Sequence, residues 1–275
     1  MSTLKNKLYL CDDFAQHFNF VYANTHELRR EAYQLRSHAY NTSHNYSNNQ
    51  RHEPTLNNTP VLPPKSTFEQ AKLDIDPYDA HSHHLLLQNK DTHEFAACVR
   101  IIEASAQQSN QCLPFEQCQK DIWVSSTPIE KLSRHAFSEM SRLTISEAYL
   151  QQKGRYNDEA KITLGLCLAA YSLARLLFHD YMFAELSLKT FKKLRVAGLL
   201  FEQATDHMTD TNSQEQKSIF YINLETGINA ANPVYELQQH ILNEVAHQLN
   251  IPLVHHTDSS ETDDQSKLSG TERSA

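Results

Sequence analysis

Charged and hydroxyl side chains interrupt the apolar stretches of this 275-residue sequence at four places. Arg100 alternates with Val99 and Ile101, so in a strand its side chain points to the opposite sheet face. If that face is covered, the guanidinium requires a carboxylate partner or an anionic ligand. The other three clusters are Leu35–Tyr40 with the following Tyr46, Asp74–Asp79, and Glu139–Arg142.

Each cluster also has an ordinary structural interpretation. Arg100 would then be exposed on a strand or form half of a structural ion pair. Asp76 and Asp79 would be turn residues that precede a strand. Glu139 and Arg142 have opposite parity along their strand, so they point to opposite faces unless a bulge intervenes, and they would form a surface pair.

Hydrophobic periodicity predicts helices and strands that alternate along the chain. Apolar residues at i, i+4, i+7 and i+11 indicate an amphipathic first helix, and Gly198 is placed to end a later helix as its C-cap. The order of elements predicts one α/β layer sandwich. The predicted helices cover residues 25–40, 159–179, 188–197 and 233–249, and the strands cover residues 83–88, 95–102, 139–146, 182–186 and 218–224.

Polar stretches divide these elements from the rest of the chain. Residues 47–67 are rich in Asn, Pro, Ser and Thr, which predicts a disordered or mobile insertion. Residues 206–217 indicate a loop, and residues 255–275 have the composition of a disordered acidic tail. We therefore expect a single folded domain over residues 1–254.

Composition excludes several functional classes. Only 5 of 275 residues are glycine, against a usual share of about 7%, and no glycine-rich phosphate-binding motif occurs. The net charge of −8 argues against a nucleic-acid surface, and the five cysteines lack disulfide or zinc spacing. Since no apolar run reaches about 18 residues and no signal peptide is evident, we expect a cytoplasmic protein without a membrane span.

Four motifs in a fixed order give the sequence a family resemblance. They resemble the acyl-homoserine-lactone (autoinducer) synthases and, more closely, their relatives, the PEP-CTERM/exosortase-associated acyltransferases and long-chain N-acyl amino acid synthases. The resemblance covers roughly residues 25–225. The motifs are Leu35-Arg36 with Tyr40 and Tyr46, Asp76-Pro77-Tyr78-Asp79, Val99-Arg100, and Glu139-Met140-Ser141-Arg142.

The resemblance implies a GNAT-like α/β (α+β) fold, in which a mixed, mostly antiparallel central sheet is flanked by helices in a three-layer sandwich. It also implies an enzyme that moves a long-chain fatty acyl group from an acyl-carrier-protein or acyl-CoA thioester to the amine of an amino-acid-like acceptor. No other cofactor and no metal are implied. The implied catalytic residues are Glu139, Asp76, Asp79 and Arg100, and the implied substrate-binding residues are Arg36, Tyr40, Tyr46, Ser141 and Arg142.

Aminolysis of a thioester accounts for these residue types. The reaction requires a neutral amine, a base or water relay for its proton, and donors for the developing oxyanion. The carboxylates would attract an ammonium substrate, and we expect Glu139 to take the proton. The arginines would hold the carboxylates, and one of them could bind the acceptor's carboxylate. Backbone N–H groups of a splayed or bulged strand near Ser141–Thr144 would meet the oxyanion.

Two alternatives remain open from the sequence. A relative that binds acyl chains or a partner protein without catalysis would need an apolar cleft but no convergent charges. A metal-dependent hydrolase would use His81 and His83, which share a face if they lie two apart on one extended segment. Carrier-protein docking would favour cations near a cleft, although these could equally form a solvated helix face; the candidates are Lys189, Lys192, Lys193 and Arg195.

Overall fold

The computed structural model describes residues 13–49, 73–104, 112–117, 132–152, 158–206, 208–209 and 216–253. The strands are β1 (Phe18–Tyr22), β2 (Ser82–Asn89), β3 (Phe95–Glu103), β4 (Phe137–Ile145), β5 (Tyr181–Ser187), β6 (Glu202–Gln203), β7 (Met208–Thr209) and β8 (Gln216–Asn223). The α-helices are α1 (His26–Asn49), α2 (Glu147–Gln151), α3 (Glu159–Leu176), α4 (Leu188–Ala197) and α5 (Val234–Leu249). Short 3₁₀ helices cover Pro77–His81, Pro114–Gln117 and Arg134–Ala136.

The eight strands form one mixed sheet. Their order is β1-β2-β3-β4-β5-β8-β6, and β7 also pairs with β8. Every pair is antiparallel except β4 and β5, which run parallel. This arrangement confirms the predicted mixed, mostly antiparallel sheet.

Helices cover the sheet on both faces. Val99 and Ile101 pack into a large apolar cluster that includes α3 and α5, whereas Cys98 packs with Ala32 of α1 on the other face. Each fully buried aliphatic or aromatic side chain of these clusters contributes about 1.5–3 kcal/mol to folding. The predicted three-layer sandwich is therefore confirmed, and Arg100 lies on the α1 face as its alternation with Val99 predicts.

A bulge in β4 changes the direction of one charged side chain. Between the pairs Arg100–Ser141 and Cys98–Thr144, β3 contains one residue and β4 contains two. Arg142, one of these two β4 residues, has a φ of 52°, in the left-handed region. A bulge shifts the alternation of side chains by one position, so Arg142 joins Ser141 on the α1 face.

The parallel strands β4 and β5 pair over only part of their length. Their ladder runs from Phe137–Tyr181 to Met140–Ala184. Beyond these residues β4 continues to pair with β3, and β5 continues to pair with β8. The sheet therefore parts between β4 and β5 directly beside the bulge.

The predicted elements agree with the structure to within a few residues, apart from the following differences. β1 and the short α2, β6 and β7 were not predicted, because runs of two to five residues carry no clear period. Helix α1 extends to Asn49, three residues into the predicted insertion, since an established helix can continue through polar residues. β7 and the start of β8 lie in the predicted loop 206–217. They form strands because they pair with each other, and this pairing leaves no local sequence pattern.

The rest of segment 47–67 and the tail 255–275 lie outside the described residues. Among the helices that are described, none combines the length and apolar character needed to cross a membrane.

Candidate active site

Arg36 and Asp79 form the centre of a buried ion-pair network on the α1 face of the sheet. The Arg36 guanidinium donates from Nη1 to Asp79 Oδ1 at 2.7 Å and from Nη2 to Oδ2 at 3.0 Å. Its Nε donates to Asp74 Oδ2 at 3.0 Å. Arg36 is fully buried and Asp79 is 6% exposed, so this two-point, charge-assisted pair is shielded from water.

Arg100 joins the network from β3. Its Nη1 donates to Asp76 Oδ1 at 2.7 Å and to Asp79 Oδ1 at 2.8 Å. Its Nε donates to the hydroxyl of Ser141 at 3.0 Å. The buried cation thus has the carboxylate partners that the sequence pattern required.

Arg142 completes the network from the bulge of β4. Its Nη2 donates to Asp76 Oδ2 at 3.0 Å, and its Nε lies 3.8 Å from Asp74 Oδ2. The side chain is 25% exposed, whereas Arg36 and Arg100 are almost completely buried. Of these three guanidinium groups, Arg142 is therefore the one that a molecule in solution can reach.

The local sequence before β2 positions the two aspartates that bridge the arginines. Asp76 caps the 3₁₀ helix Pro77–His81 by accepting a hydrogen bond from the N–H of Tyr78 at 2.9 Å. The Asp79 carboxylate in turn accepts a hydrogen bond from the N–H of Asp76 at 2.9 Å. Because proline needs no N–H partner at the start of a helix, Pro77 suits this turn. The predicted turn at Asp76 and Asp79 is present, and both carboxylates also pair with arginines.

The arginines make the bridging carboxylates weak bases. Burial alone would raise the pKa of Asp79, but hydrogen bonds from Arg36, the Asp76 N–H and Arg100 outweigh it and lower that pKa to about 2. Burial also opposes ionisation of Asp76, and Arg100 and Arg142 together lower its pKa. The pKa of Arg36 is raised, since its pairing with the aspartates outweighs its burial. These carboxylates stay ionised at neutral pH and hold their protons poorly.

His84 is a buried neighbour of the network that the sequence analysis missed as a site residue. It is 1% exposed, and its Nε2 lies 3.5 Å from Asp79 Oδ1 with no hydrogen-bond partner among the described residues. The ring of Tyr33 meets the imidazole edge-on. Burial, supported by repulsion from Arg36 and Arg100, lowers the pKa of His84 to about 4, so the imidazole is neutral at pH 7. Only its place in an apolar strand distinguished it from the other histidines.

Glu139 lies on the same sheet face but outside the network. It is 3% exposed, and its Oε2 accepts a hydrogen bond from the N–H of Phe115 at 2.9 Å. Burial raises the pKa of Glu139 to about 8, and repulsion from Glu185 and Glu116 acts in the same direction. The Phe115 hydrogen bond and the charge of Arg100 oppose the shift without cancelling it. Glu139 is thus protonated over much of the neutral range.

An aromatic cluster lies beside Glu139, whose register partner on β5 is Phe183. Phe115 stacks on Phe183 of β5 with ring centroids 4.4 Å apart and an interplanar angle of 7°. Phe137 meets both rings nearly perpendicularly. The ring of Tyr78 lies 5.9 Å from the Arg100 guanidinium, and its hydroxyl accepts a hydrogen bond from Gln117. The 3₁₀ segment Pro114–Gln117 therefore closes this part of the face, and nothing in its sequence indicated that role.

Most of the predicted polar residues meet in the structure. Glu139 is the exception, since it contacts Phe115 rather than the charged groups. The side chains of Tyr40 and Tyr46 lie outside the described residues. The residues that converge are Arg36, Asp76, Asp79, Arg100, Ser141 and Arg142.

The extended segment assumed for the metal alternative is not formed. His81 is the last residue of a 3₁₀ helix, whereas His83 is the second residue of β2, because the cap at Asp76 turns the chain before the strand starts. His83 hydrogen-bonds instead to Tyr22 through Nδ1 at 2.6 Å and to Glu103 through Nε2. Within the part of the chain that is described, no group of three or more His, Cys, Asp or Glu residues is arranged to hold a metal ion.

Comparison with known proteins identifies the kind of domain. Residues 62–156, about a third of the chain, match a family model described as an acetyltransferase (GNAT) domain. This segment is similar to GNAT acetyltransferase domains. The matched residues include Asp76, Asp79, Arg100 and Glu139 but exclude Arg36 on α1. No curated protein sequence matches the chain.

Solved structures support the same fold. TofI, crystallised in a ternary complex with an inhibitor and MTA, is 12% identical with a TM-score of 0.52, over 80% of this chain and 95% of TofI. The AHL synthase LasI is 15% identical with a TM-score of 0.52, over 77% of this chain and 92% of LasI. The predicted GNAT-like fold and acyltransferase class are confirmed, and the resemblance to PEP-CTERM-associated enzymes stays a prediction.

Proposed function

We propose that this acyltransferase moves a long-chain acyl group from a carrier-protein or coenzyme A thioester to the amine of an amino-acid-like acceptor. The observation that carries the proposal is the convergence of the network on one sheet face beside the point where β4 and β5 part. A protein that only bound an acyl chain would need an apolar cleft, and buried charges would then be an unnecessary cost. Convergent charges fit the binding of a charged acceptor.

The acceptor's charged groups would bind at the exposed edge of the network. Arg142 is 25% exposed, and its partners Asp74 and Asp76 are 24% and 19% exposed. A carboxylate could bind the Arg142 guanidinium, and an ammonium group could bind the adjacent aspartates. Arg36 and Arg100 are too deeply buried for substrate contact, so we assign them a positioning role instead of the binding and catalytic roles expected from sequence.

Glu139 fits the role of base better than the aspartates do. A general base works best when its pKa lies near the working pH. The pKa of Asp79 is about 2, whereas that of Glu139 is about 8. An amine would transfer its proton to the Glu139 carboxylate directly or through water as its nitrogen attacks the thioester carbonyl, and the thiolate would leave. Access to Glu139 requires the covering segment Pro114–Gln117 to move.

The surface next to the point where β4 and β5 part suits an acyl carrier protein. Helix α4 begins directly after β5, and its four cations (Lys189, Lys192, Lys193 and Arg195) are all exposed. The helix contains no acidic residue, although the whole chain has a net charge of −8. A local positive surface of this kind steers acidic partners toward it. Coenzyme A, which is also anionic, is the alternative donor.

Mass spectrometry of lipid extracts from cells that express the protein tests the proposed reaction. The variants are Glu139→Gln and, as a matched control, Glu31→Gln on α1, where the side chain is exposed. We expect new N-acyl amino acids or acyl lactones with the wild type and the control and their loss with Glu139→Gln. Equal amounts of product from Glu139→Gln and from the control would exclude Glu139 as the base but would still support the acyltransferase activity. Absence of any new acylated species, in cells and with purified protein given acyl-CoA and acyl-carrier protein, would contradict the proposed function.

A further inference from the structure

A pocket of about 470 Å³ lies at the end of the sheet where β5 begins and β8 ends. It is formed by the last turn of α3, the connection to β5 and the turn that follows β8. No residue of the arginine–aspartate network lines it, and the parting of β4 and β5 lies toward the other end of β5. Its size falls within the range of small-molecule sites.

The charges in this pocket are separated from each other. Arg175, Asp180 and Glu225 line it, and none of them forms an ion pair within the described residues. A ligand with only a carboxylate would meet two acids, and a ligand with only an ammonium group would meet the arginine. A zwitterion satisfies all three side chains, because its two charges can face opposite ones.

Two other residues that line the pocket have unusual environments. His179 is 8% exposed, and its buried Nδ1 has no hydrogen-bond partner in the described part of the chain. Phe178 has a φ of 62° and is 85% exposed. A bulky residue rarely adopts the left-handed conformation, and such strain concentrates at functional sites. The exposed ring gives the apolar part of a ligand a surface to cover.

We propose that this pocket binds a free α-amino acid or a close zwitterionic analogue, at a site separate from the candidate active site. The ligand's carboxylate pairs with Arg175, and its ammonium group pairs with Asp180 and Glu225. An apolar side chain of the ligand packs on Phe178. The proposal does not depend on the acyltransferase reaction, although the acceptor proposed for that reaction belongs to the same chemical class.

Binding of three matched probes to the full-length protein tests the charge requirement. The probes are L-phenylalanine, 3-phenylpropionate, which lacks the ammonium group, and phenethylamine, which lacks the carboxylate. We expect L-phenylalanine to bind at least about tenfold more tightly than either partial ligand in calorimetric titrations. The amide signals of Phe178 and Glu225 should shift in ¹H–¹⁵N NMR spectra during the titration.

Variants separate this pocket from the candidate active site. Arg175→Gln and Glu225→Gln should each weaken L-phenylalanine binding at this site about tenfold, whereas Glu159→Gln, an exposed acid at the other end of α3, should leave it unchanged. Asp76→Asn should also leave this binding unchanged. Loss of binding in Asp76→Asn but not in Arg175→Gln would assign the amino acid to the active site alone and overturn the proposal. Absence of saturable binding by L-phenylalanine, L-leucine, L-lysine and L-glutamate would overturn it as well.

Discussion

Arg36 and Asp79, which are 43 residues apart in sequence, form a two-point ion pair with donor–acceptor distances of 2.7 and 3.0 Å. The pair joins α1 to the turn before β2, and Arg100 links the same carboxylate to β3 at 2.8 Å. Three elements are thus fixed relative to each other through one carboxylate. The position of Asp76, and through it of Arg142, depends on this arrangement.

Removal of one partner from this pair should destabilise the protein strongly. Arg36→Ala leaves the Asp79 carboxylate buried with one guanidinium fewer, so we expect a loss of about 3–5 kcal/mol in the free energy of unfolding. Urea denaturation followed by circular dichroism measures it. Arg30→Ala, at an exposed position of the same helix, is the control and should change stability by less than about 0.5 kcal/mol. Similar losses in both variants would mean that the pair contributes nothing specific.

The pH dependence of activity should identify the base. With Glu139 as base, the rate rises as pH increases through the pKa of about 8, because only the ionised carboxylate accepts a proton. Glu139→Gln should lower the rate by about 10²–10⁴-fold and remove this dependence. Rates measured between pH 6 and 9 with an acyl thioester and the acceptor provide the profile. A variant that keeps the wild-type profile would assign the proton transfer to another group.

The same carboxyl group should make stability fall with increasing pH. In the unfolded chain Glu139 ionises near pH 4.5, but in the folded protein it keeps its proton until about pH 8. Between these values the unfolded state binds fewer protons, so the free energy of unfolding decreases by up to about 1.4 kcal/mol per pH unit. Thermal unfolding of Glu139→Gln and wild type from pH 5 to 8 should show the variant gaining relative stability. A constant difference would contradict the raised pKa.

The bulge at Arg142 predicts different stabilities for two substitutions that both remove the ion pair. Glycine adopts the left-handed φ of 52° without strain, whereas valine does so at a cost of about 1–2 kcal/mol. Arg142→Gly should therefore be more stable than Arg142→Val by about that amount in urea unfolding. Both variants should lose acceptor binding, since neither side chain carries the guanidinium proposed to bind the acceptor's carboxylate. Equal stability would indicate that β4 does not hold the bulge without Arg142.

The packing of Gly165 against Phe14 predicts that a methyl group in α3 is harmful. A Cβ at residue 165 would overlap the buried Phe14 ring. Gly165→Ala should destabilise the protein by about 1–3 kcal/mol, even though alanine favours helix formation by up to about 1 kcal/mol. Adding Phe14→Leu should recover part of the loss, and the double-mutant cycle measures the coupling. A Gly165→Ala variant more stable than the wild type would mean that the Phe14 ring does not lie against residue 165.

Much of the fold and part of the site could be predicted from local sequence patterns. The alternation around Arg100 placed its side chain opposite Val99 and, for a covered face, required a carboxylate partner or an anionic ligand; the carboxylates are present. Hydrophobic periods located α3, α4, α5 and the longer strands because those elements bury one face or all of their surface. The ordered motifs led to the GNAT fold. Such signals are carried by neighbouring residues, so they survive without knowledge of the tertiary structure.

Features that depend on long-range packing were decided only by the tertiary structure. The parity of Glu139 and Arg142 left two orientations open, and the bulge opposite β3 selected the one that joins Arg142 to Asp76. Phe115 lies 24 residues before Glu139 and carries no signal of their contact, yet the burial that its segment provides raises the pKa of that carboxyl group. Composition and periodicity determine which residues are available and which face they occupy. Register, burial and charge pairing, which set protonation states, arise only when distant segments meet.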